Sequence, residues 1–415
     1  MAHSPTMSSA ADSFAAELPQ PTFRWLDCLA ASAPILVATT GNRYCARIAD
    51  TLQAETLANQ PRPQATGRGQ EFNCFRAGHW SPDGAFILTS SHDQCARVFQ
   101  LPETVLTGIQ PAELAPFLTI REAEGIIDCR WYPFTNYYDP STWCFLVSTR
   151  DHPMHLWDAY MGHVRCTYIA QDQREQVIAP TATQFNLDAT KIYGGFHNHI
   201  QIFDIARPGK SMDVIPITPT RRSQQGQKGL VSAIEFNPDH SGLYAVATFA
   251  NTVGLYSEKT NELLYLKKLP NGTGVTQAAA SAISNRKHQQ LYCWDIRNSG
   301  EFLYHLERPL YTNQRLVFDI DSAGETLVTG WQDGAVALHD LKQLQDHRGT
   351  ASPVSTFKAH DGQHHLDLDV SALCSQSPSV DADSASGDHG SAHQAPDTSV
   401  RLWRWDNPIP QNESP

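Results

Sequence analysis

The chain repeats one unit: an apolar strand that ends in an aromatic residue, a tight turn, a second apolar strand, a short polar loop, and a third strand that ends in an aromatic residue and Asp or a variant. The clearest copies lie at residues 75–101, 127–159, 183–205, 231–257 and 316–341. Their strands are about 5 to 7 residues long and are separated by Gly, Asp, Asn and Pro, which is typical of strands and turns rather than helices. We therefore expect an all-β fold.

A unit of roughly 40 to 45 residues that ends in Trp-Asp is typical of the four-stranded blade of a WD40-type β-propeller. Such a blade cannot bury both of its faces alone, so it must stack on its neighbours. The pairs are Trp157-Asp158, Trp294-Asp295 and Trp405-Asp406, with the variants Phe203-Asp204 and His339-Asp340. We assign these side chains to blade packing and turn capping. Seven blades are expected, with six as the alternative.

Two blades depart from the pattern. Over residues 275–295, Ala280 stands where the first aromatic residue is expected, and no convincing second strand follows. Either this one shortened blade has lost a strand, or the sequence carries a deletion. The last blade must be assembled from residues 370–374 and 399–405, around a Ser/Asp/His-rich stretch at 375–397 that predicts a disordered insertion. A strand is missing there as well.

The N-terminal part of the repeat region predicts how the ring closes. Residues 34–48 carry two strand-like runs, and we expect them to pair with the C-terminal strands, because closure removes exposed sheet edges. The predicted organisation is a disordered N-terminal tail at 1–22, a propeller at 23–406 and a C-terminal tail at 407–415.

Charge and cysteine content limit the classes of function. The net charge of −12 and the pI near 5.8 argue against blanket neutralisation of nucleic-acid phosphates, so any RNA contact must be local. Nine cysteines without a C-x-x-C pair suggest neither a zinc knuckle nor a disulfide framework, and we expect reduced thiols in an intracellular protein. The chain shows neither a signal-peptide pattern nor an 18-residue apolar run, so we expect a soluble nuclear or cytoplasmic protein with no membrane partner.

Motifs for enzyme chemistry are absent from the sequence: it has no phosphate-binding Gly-rich loop, zinc-protease motif or hydrolase nucleophile motif. The densest group of potential metal ligands is His360, His364 and His365 with Asp361 and Asp367. We expect it to lie in a loop without the rigid support that a metal site needs. We therefore predict no enzyme activity, no metal, no cofactor and no small-molecule substrate.

Several stretches carry a resemblance beyond the generic blade. Residues 75–102, 152–165, 194–209, 292–300 and 312–330 resemble, in order, the telomerase Cajal body protein family of WD-repeat proteins, including its fungal relatives. The more specific elements are Ala-Arg-Pro-Gly at 206–209 and Thr-Asn-Gln-Arg at 312–315, because generic blades do not need them. The resemblance covers about residues 72–342. The chain departs from the family in the shortened blade, in the insertion, and in having no long acidic or proline-rich N-terminal extension.

This resemblance implies a non-catalytic scaffold. Its expected partners are small nuclear and Cajal-body RNAs of the box H/ACA class, including telomerase RNA, together with the proteins of their ribonucleoproteins. Its expected role is to localise or assemble those particles in the nucleus, in the nucleoplasm or a Cajal-body-like compartment, with the cytoplasm as a further location. The alternative is a WD-repeat adaptor that joins proteins in a nuclear complex, such as one in pre-mRNA splicing, without touching RNA.

Contact candidates come from the loops that a propeller gathers on one face, namely those that join the second strand of a blade to the third and the fourth to the next blade. Residues there can neutralise phosphates or stack on unpaired bases. The first kind of loop supplies Arg150, His152, His197, Arg286, Lys287 and Trp331, beside His92 and His288. The second supplies Arg221, Arg222, Lys228, Asn313 and Arg315. Arg315 is favoured because it lies in the family-specific stretch, and for each of the others an ordinary solvated loop residue is the alternative.

Overall fold

The computed structural model describes residues 34–40, 73–102, 110–220, 222–223, 225–270, 274–278, 282–285, 290–294, 302–309, 316–321, 324–344, 349–360, 365–369, 372–376 and 399–404. The predicted tails at 1–22 and 407–415 lie outside these residues. In this part of the chain, no helix is long and apolar enough to cross a membrane.

Seven sheets of four main strands form the blades of a β-propeller, which confirms the predicted all-β fold and the count of seven. Blade 1 consists of β2 (Phe75–Trp80), β3 (Phe86–Ser91), β4 (Cys95–Gln100) and β6 (Pro116–Arg121). Blade 2 consists of β7 (Ile126–Trp131), β8 (Cys144–Thr149), β9 (Met154–Asp158) and β10 (Val164–Ile169). Blade 3 consists of β11 (Ala182–Phe185), β12 (Lys191–Gly195), β13 (His199–Asp204) and β15 (Asp213–Pro216).

The remaining blades follow the same antiparallel order. Blade 4 consists of β16 (Val231–Phe236), β17 (Leu243–Thr248), β18 (Thr252–Ser257) and β19 (Leu263–Lys268). Blade 5 consists of β20 (Val275–Ala278), β21 (Ala282–Asn285), β22 (Gln290–Trp294) and β23 (Phe302–Glu307). Blade 6 consists of β24 (Phe318–Ile320), β25 (Thr326–Gly330), β26 (Ala335–Asp340) and β28 (Ser355–Lys358). Blade 7 consists of β29 (His365–Asp369), β30 (Ala372–Gln376), β31 (Val400–Arg404) and β1 (Ile35–Thr39).

The core lies between the blades. Each of seven apolar clusters among the described residues combines side chains of two successive blades, including the last and the first. Leu255 of blade 4 packs with Trp294 of blade 5, for example. Full burial of such a side chain contributes about 1.5–3 kcal/mol, so each blade depends on its two neighbours for stability.

The ring closes between strands from the two ends of the described chain. β1 pairs antiparallel with β31, from Ile35↔Arg404 to Thr39↔Arg401. Across the junction with blade 1, Val37 is buried in one cluster with Phe75. A single blade thus contains residues from both ends of the repeat region.

Three two-residue strands bridge neighbouring blades at the rim. They are β5 (Ala112–Glu113), β14 (Gly209–Lys210) and β27 (Thr350–Ala351). Each pairs in parallel with the outermost strand of the preceding blade, namely β1, β10 and β23. These pairings cover part of an outer edge that would otherwise present free backbone groups.

Blade 5 has all four strands, so the expectation that it has lost its second strand is wrong. The strand in question is β21, which pairs with β20 from Val275↔Asn285 to Ala278↔Ile283. The blade is nevertheless shortened, because β20 and β21 have four residues each and their counterparts β16 and β17 have six.

Blade 7 also has four strands, so the expectation of a missing strand there is wrong. The strand is β29, which pairs antiparallel with β30. It begins at His365 and contains Asp367, two members of the group that was expected in a loop. β30 ends at Gln376, inside the predicted insertion, and residues 377–397 fall in a stretch that the structure does not describe.

The Asp residues at the ends of the third strands cap the turns that follow, which confirms the expectation for those that are described. The Oδ1 atoms of Asp158, Asp204 and Asp340 each accept a hydrogen bond from the backbone N–H two residues further on, at 2.8, 2.9 and 2.9 Å. The aromatic partners Phe203 and Trp294 are buried between blades. The Trp-Asp pattern is therefore a structural feature here.

Candidate functional site

The loops that join the second strand to the third, and the fourth strand to the next blade, lie together on one face, which we call the top face. Backbone hydrogen bonds connect the two kinds of loop directly. Arg150 N–H donates to the Gly125 carbonyl at 3.3 Å, and Asn198 N–H donates to the Gly229 carbonyl at 3.0 Å. Residues separated along the chain are therefore neighbours on this face.

One loop of the top face brings together three of the sequence-predicted residues. Residues 217–230 join β15 to β16 and carry Arg222 and Lys228, whose side chains are exposed. The same loop runs beside the turn that follows β12, since His197 and Leu230 form a β-bridge. His197 is exposed as well. Lys228 and the imidazole therefore lie close together on the surface, and Arg222 is carried by the same loop.

The segment of this loop that leads into β16 is held in place by Gln227, whose side chain is fully buried. Its Nε2 donates to the Val246 carbonyl at 2.7 Å, and its Oε1 accepts from the Tyr256 hydroxyl at 3.0 Å. Gly226 precedes it with φ +81°, and a Cβ there would lie 2.6 Å from the Ile217 carbonyl oxygen. The backbone that presents Lys228 is thus fixed in advance, which lowers the entropy cost of binding.

Three other predicted residues lie on the top face but in separate turns. Arg150 is exposed and His152 is half-buried in the turn between β8 and β9, where His152 Nδ1 lies 2.7 Å from the Arg150 carbonyl oxygen. Trp331 is half-buried in the turn between β25 and β26. The structure therefore brings some candidates together and spreads others around the ring.

Five predicted residues lie outside the described part of the chain: Arg221, Arg286, Lys287, Asn313 and Arg315. Among the described residues of this part of the chain, the buried Arg308 donates from Nη1 to the Leu316 carbonyl at 3.1 Å and from Nη2 to Ser284 Oγ at 2.8 Å. Burial lowers the pKa of Arg308 to about 10, so its guanidinium stays charged at neutral pH.

His199 belongs to the same region but was missed in the sequence. Its ring stacks on that of the buried Phe196, with centroids 5.1 Å apart and planes at 7°. Burial lowers the pKa of His199, so the ring is neutral near pH 7. The His-Asn-His spacing at 197–199, with two imidazoles around one turn residue, is the signal that could have identified it.

Polar residues of the first strands line the axis of the ring. Arg130 of β7, Gln184 of β11 and Glu235 of β16 lie in adjacent blades, and Gln184 Nε2 donates to Glu235 Oε2 at 2.9 Å. Burial raises the pKa of Glu235 to about 7, and Asp319 and Asp128 act in the same direction, against Arg130 and the Gln184 hydrogen bond. The wall of the channel therefore holds a carboxyl that titrates near neutral pH.

Replacing Glu235 with Gln is expected to stabilise the protein at high pH. The folded-state pKa of about 7 lies above the ordinary value of 4.5, so wild-type stability falls as pH rises from about 4.5 to 7 and is then level. We expect E235Q to be more stable by on the order of 1–2 kcal/mol at pH 8, less than the full shift because channel water screens the charge.

Urea denaturation of both proteins at pH 5 and pH 8 measures this effect. The control is E262Q, because Glu262 is exposed in the same blade. An equal difference between wild type and E235Q at both pH values contradicts the prediction.

The buried thiols are poor nucleophiles. Burial raises the pKa of Cys129 and Cys293 to about 12 and that of Cys144 to about 11, so they stay protonated at neutral pH. Among the residues that the structure describes, no group of three or more His, Cys, Asp or Glu side chains could hold a metal ion. The arrangement on the top face is suited to contact rather than to bond making.

The chain is similar to several known proteins over most of its length. No protein-family model matches it. Telomerase Cajal body protein 1 of Mus musculus is 30% identical over 395 residues, which cover 88% of this chain and 73% of the relative. The Homo sapiens protein of the same name is 32% identical over 333 residues, 77% of this chain and 60% of the relative. The Schizosaccharomyces pombe protein named Guanine nucleotide-binding protein negative regulator 1 is 29% identical over 287 residues, 66% of this chain and 72% of the relative.

Proposed function

The chain belongs to the Telomerase Cajal body protein 1 family, and we propose that it is a non-catalytic scaffold that binds small nuclear RNAs of the box H/ACA class, telomerase RNA among them. Its role is to help localise or assemble their ribonucleoproteins in the nucleus. The relatives' names support the connection with telomerase and Cajal bodies.

The observation that best supports a contact with RNA is the loop of residues 217–230 on the top face. Lys228 is exposed next to Gln227, which holds the backbone there, and it lies close to the exposed ring of His197, while Arg222 is exposed on the same loop. Cations supply the attraction for phosphates, and flat rings accept unpaired bases, which is how proteins recognise RNA loops. A local cluster on an acidic body also limits non-specific binding, because most of the surface repels nucleic acid.

A protein-only adaptor is the second candidate function. The S. pombe relative is named as a regulator of a guanine nucleotide-binding protein, which is an action on another protein. A propeller offers the same loops to proteins as to RNA, so the fold does not distinguish between the two functions. Direct crosslinking of RNA to the protein distinguishes them.

Crosslinking of this protein to RNA in cells, followed by sequencing, tests the proposal at the level of the partner. We expect enrichment of box H/ACA and related small nuclear RNAs. Co-purification of proteins without crosslinked RNA would support the adaptor instead.

Removing the two exposed cations of the loop at residues 217–230 is expected to weaken RNA binding. The variant R222A/K228A should bind a box H/ACA RNA about tenfold more weakly near 0.15 M salt, and the negative slope of log K against log salt should become shallower by about 1.4 to 2, since two phosphate contacts are lost. Fluorescence anisotropy over a salt series measures both quantities.

R315A should weaken RNA retention in the same assay without unfolding the ring.

The matched control is R207A/K259A, which removes the same charges from exposed positions in loops of the opposite face. It should bind RNA as tightly as the wild type. Equal loss in both double variants would mean that net charge governs binding, and no loss in R222A/K228A would rule out this loop as the contact.

A further inference from the structure

The face opposite the top face, which we call the bottom face, exposes four aromatic rings around blade 2. Tyr137 and Tyr138 lie in the loop between β7 and β8, and their exposed fractions are 43% and 89%. Tyr160 follows β9 and is 56% exposed, and Phe117 of β6 is 42% exposed. We call these four residues the aromatic patch.

The rings of the aromatic patch form a connected surface over two buried aromatic residues, Trp143 and Phe86. Trp143 is 6.0 Å from Tyr137, 5.7 Å from Tyr160 and 6.3 Å from Phe117, measured between ring centroids. Tyr138 extends the surface outward from Tyr137 at 5.5 Å. Apolar rings grouped in this way on a soluble protein mark an interaction site more often than isolated exposed residues do.

Hydrogen bonds fix the loop that carries the tyrosines. Trp143 Nε1 donates to the Asn136 carbonyl at 2.8 Å, and Asn136 N–H donates to Thr142 Oγ1 at 3.0 Å. The backbone N–H of Tyr137 donates to the Asp83 carboxylate of blade 1. Because the loop is held by its backbone and by Trp143, the tyrosine rings are free to contact a partner without a large ordering cost.

The surroundings of the aromatic patch are acidic. Asp83 and Asp139 are exposed, and neither forms an ion pair with a residue in the described ranges. Arg165, whose guanidinium donates to the Ser141 carbonyl next to this loop, is already paired with Asp158 at 2.7 Å. The patch therefore combines open aromatic faces with unpaired negative charge.

We propose that the aromatic patch binds an arginine-rich segment of a protein partner. A guanidinium can stack flat on a tyrosine face and at the same time bind a carboxylate with two hydrogen bonds, and an ammonium can do neither as well. The carboxylates attract such a segment and repel the phosphates of RNA. The two faces of the ring would then hold different partners, and this inference does not depend on RNA binding at the top face.

Fluorescence anisotropy with the full chain and a labelled peptide of eight Arg-Gly repeats tests the proposal. We expect binding at least fivefold tighter than that of the matched Lys-Gly peptide. The variant Y138A/Y160A should bind the Arg-Gly peptide about tenfold more weakly, because it loses two exposed cation–π contacts. D139N, which keeps the single side-chain oxygen that accepts from Ser141, should also bind it more weakly and with a smaller dependence on salt.

The control is L264A, which removes an exposed apolar side chain from β19 in blade 4. It should bind the Arg-Gly peptide like the wild type, and all variants should melt at the wild-type temperature. Equal affinity for the two peptides, or undiminished binding by Y138A/Y160A, overturns the proposal. So does binding of a labelled octamer of uridine that Y138A/Y160A weakens, since RNA would then be the occupant. A wild-type dimer that Y138A/Y160A converts to a monomer in light scattering also overturns it, since a second copy would then be the occupant.

Discussion

Replacing Asp93 with Ala is expected to lower the free energy of unfolding by about 3–5 kcal/mol, because it leaves the buried guanidinium of Arg97 without its counter-ion. Both side chains are fully buried in blade 1, and Asp93 Oδ2 lies 2.5 Å from Arg97 Nη2. Asp93 also accepts hydrogen bonds from Asn73 Nδ2 at 3.0 Å and from Ser91 Oγ at 2.5 Å. Burial raises the pKa of Asp93, but Arg97 and the hydrogen bonds outweigh it and hold the pKa below its usual range.

Urea denaturation measures the loss, with D188A as the control, because Asp188 is exposed and should change stability by no more than about 0.5 kcal/mol. The double variant D93A/R97L removes both charges and should recover much of the lost stability. A loss below about 1 kcal/mol in D93A, or no recovery in D93A/R97L, would mean that the pair does not hold blade 1 in this way.

Replacing Trp294 with Ala is expected to lower the free energy of unfolding by about 3–5 kcal/mol, because it opens a cavity between blades 4 and 5. Trp294 is 1% exposed and packs with Leu255, Val275 and Tyr265, the ring of the last at 6.1 Å. The indole is one of the largest buried side chains at a junction where β20 and β21 have only four residues each. This blade should therefore be unusually sensitive to the change.

The conservative variant W294F is the control. Its loss of unfolding free energy should be less than half that of W294A, because it leaves a smaller cavity. Thermal and urea denaturation of both variants give the comparison. If W294A and W294F are equally stable, Trp294 does not support the junction between these two blades.

The fold could be predicted from the repeat because each regular blade has a turn and a strand ending that recur at the same spacing. The second strand of blade 5 was missed because β20 and β21 have four residues each, too few for a clear alternation over the Ala-rich segment between Val275 and Asn285. The first strand of blade 7 was missed because His365, Asp367 and Asp369 alternate with leucines, and the polar residues were interpreted as a possible metal group.

The candidate site was predicted less completely than the fold. The face could be assigned because antiparallel strands place alternate loops at opposite ends. The proximity of His197 and Lys228 could not be predicted, because it depends on the β-bridge between His197 and Leu230. The support from Gln227 was also invisible in the sequence, since a glutamine in a polar loop gives no sign that its amide is buried.

Pairing of β1 with β31 has a consequence for the order of synthesis. Val400 N–H donates to Thr40 Oγ1 across 360 positions of the chain, so β1 leaves the ribosome long before its partner strand exists. At 5–20 residues per second the interval is roughly 20 to 70 s. During that time the apolar side of blade 1 that blade 7 later covers stays open to solvent, and a nascent chain of this kind is a natural client for chaperones until its last strand has been made.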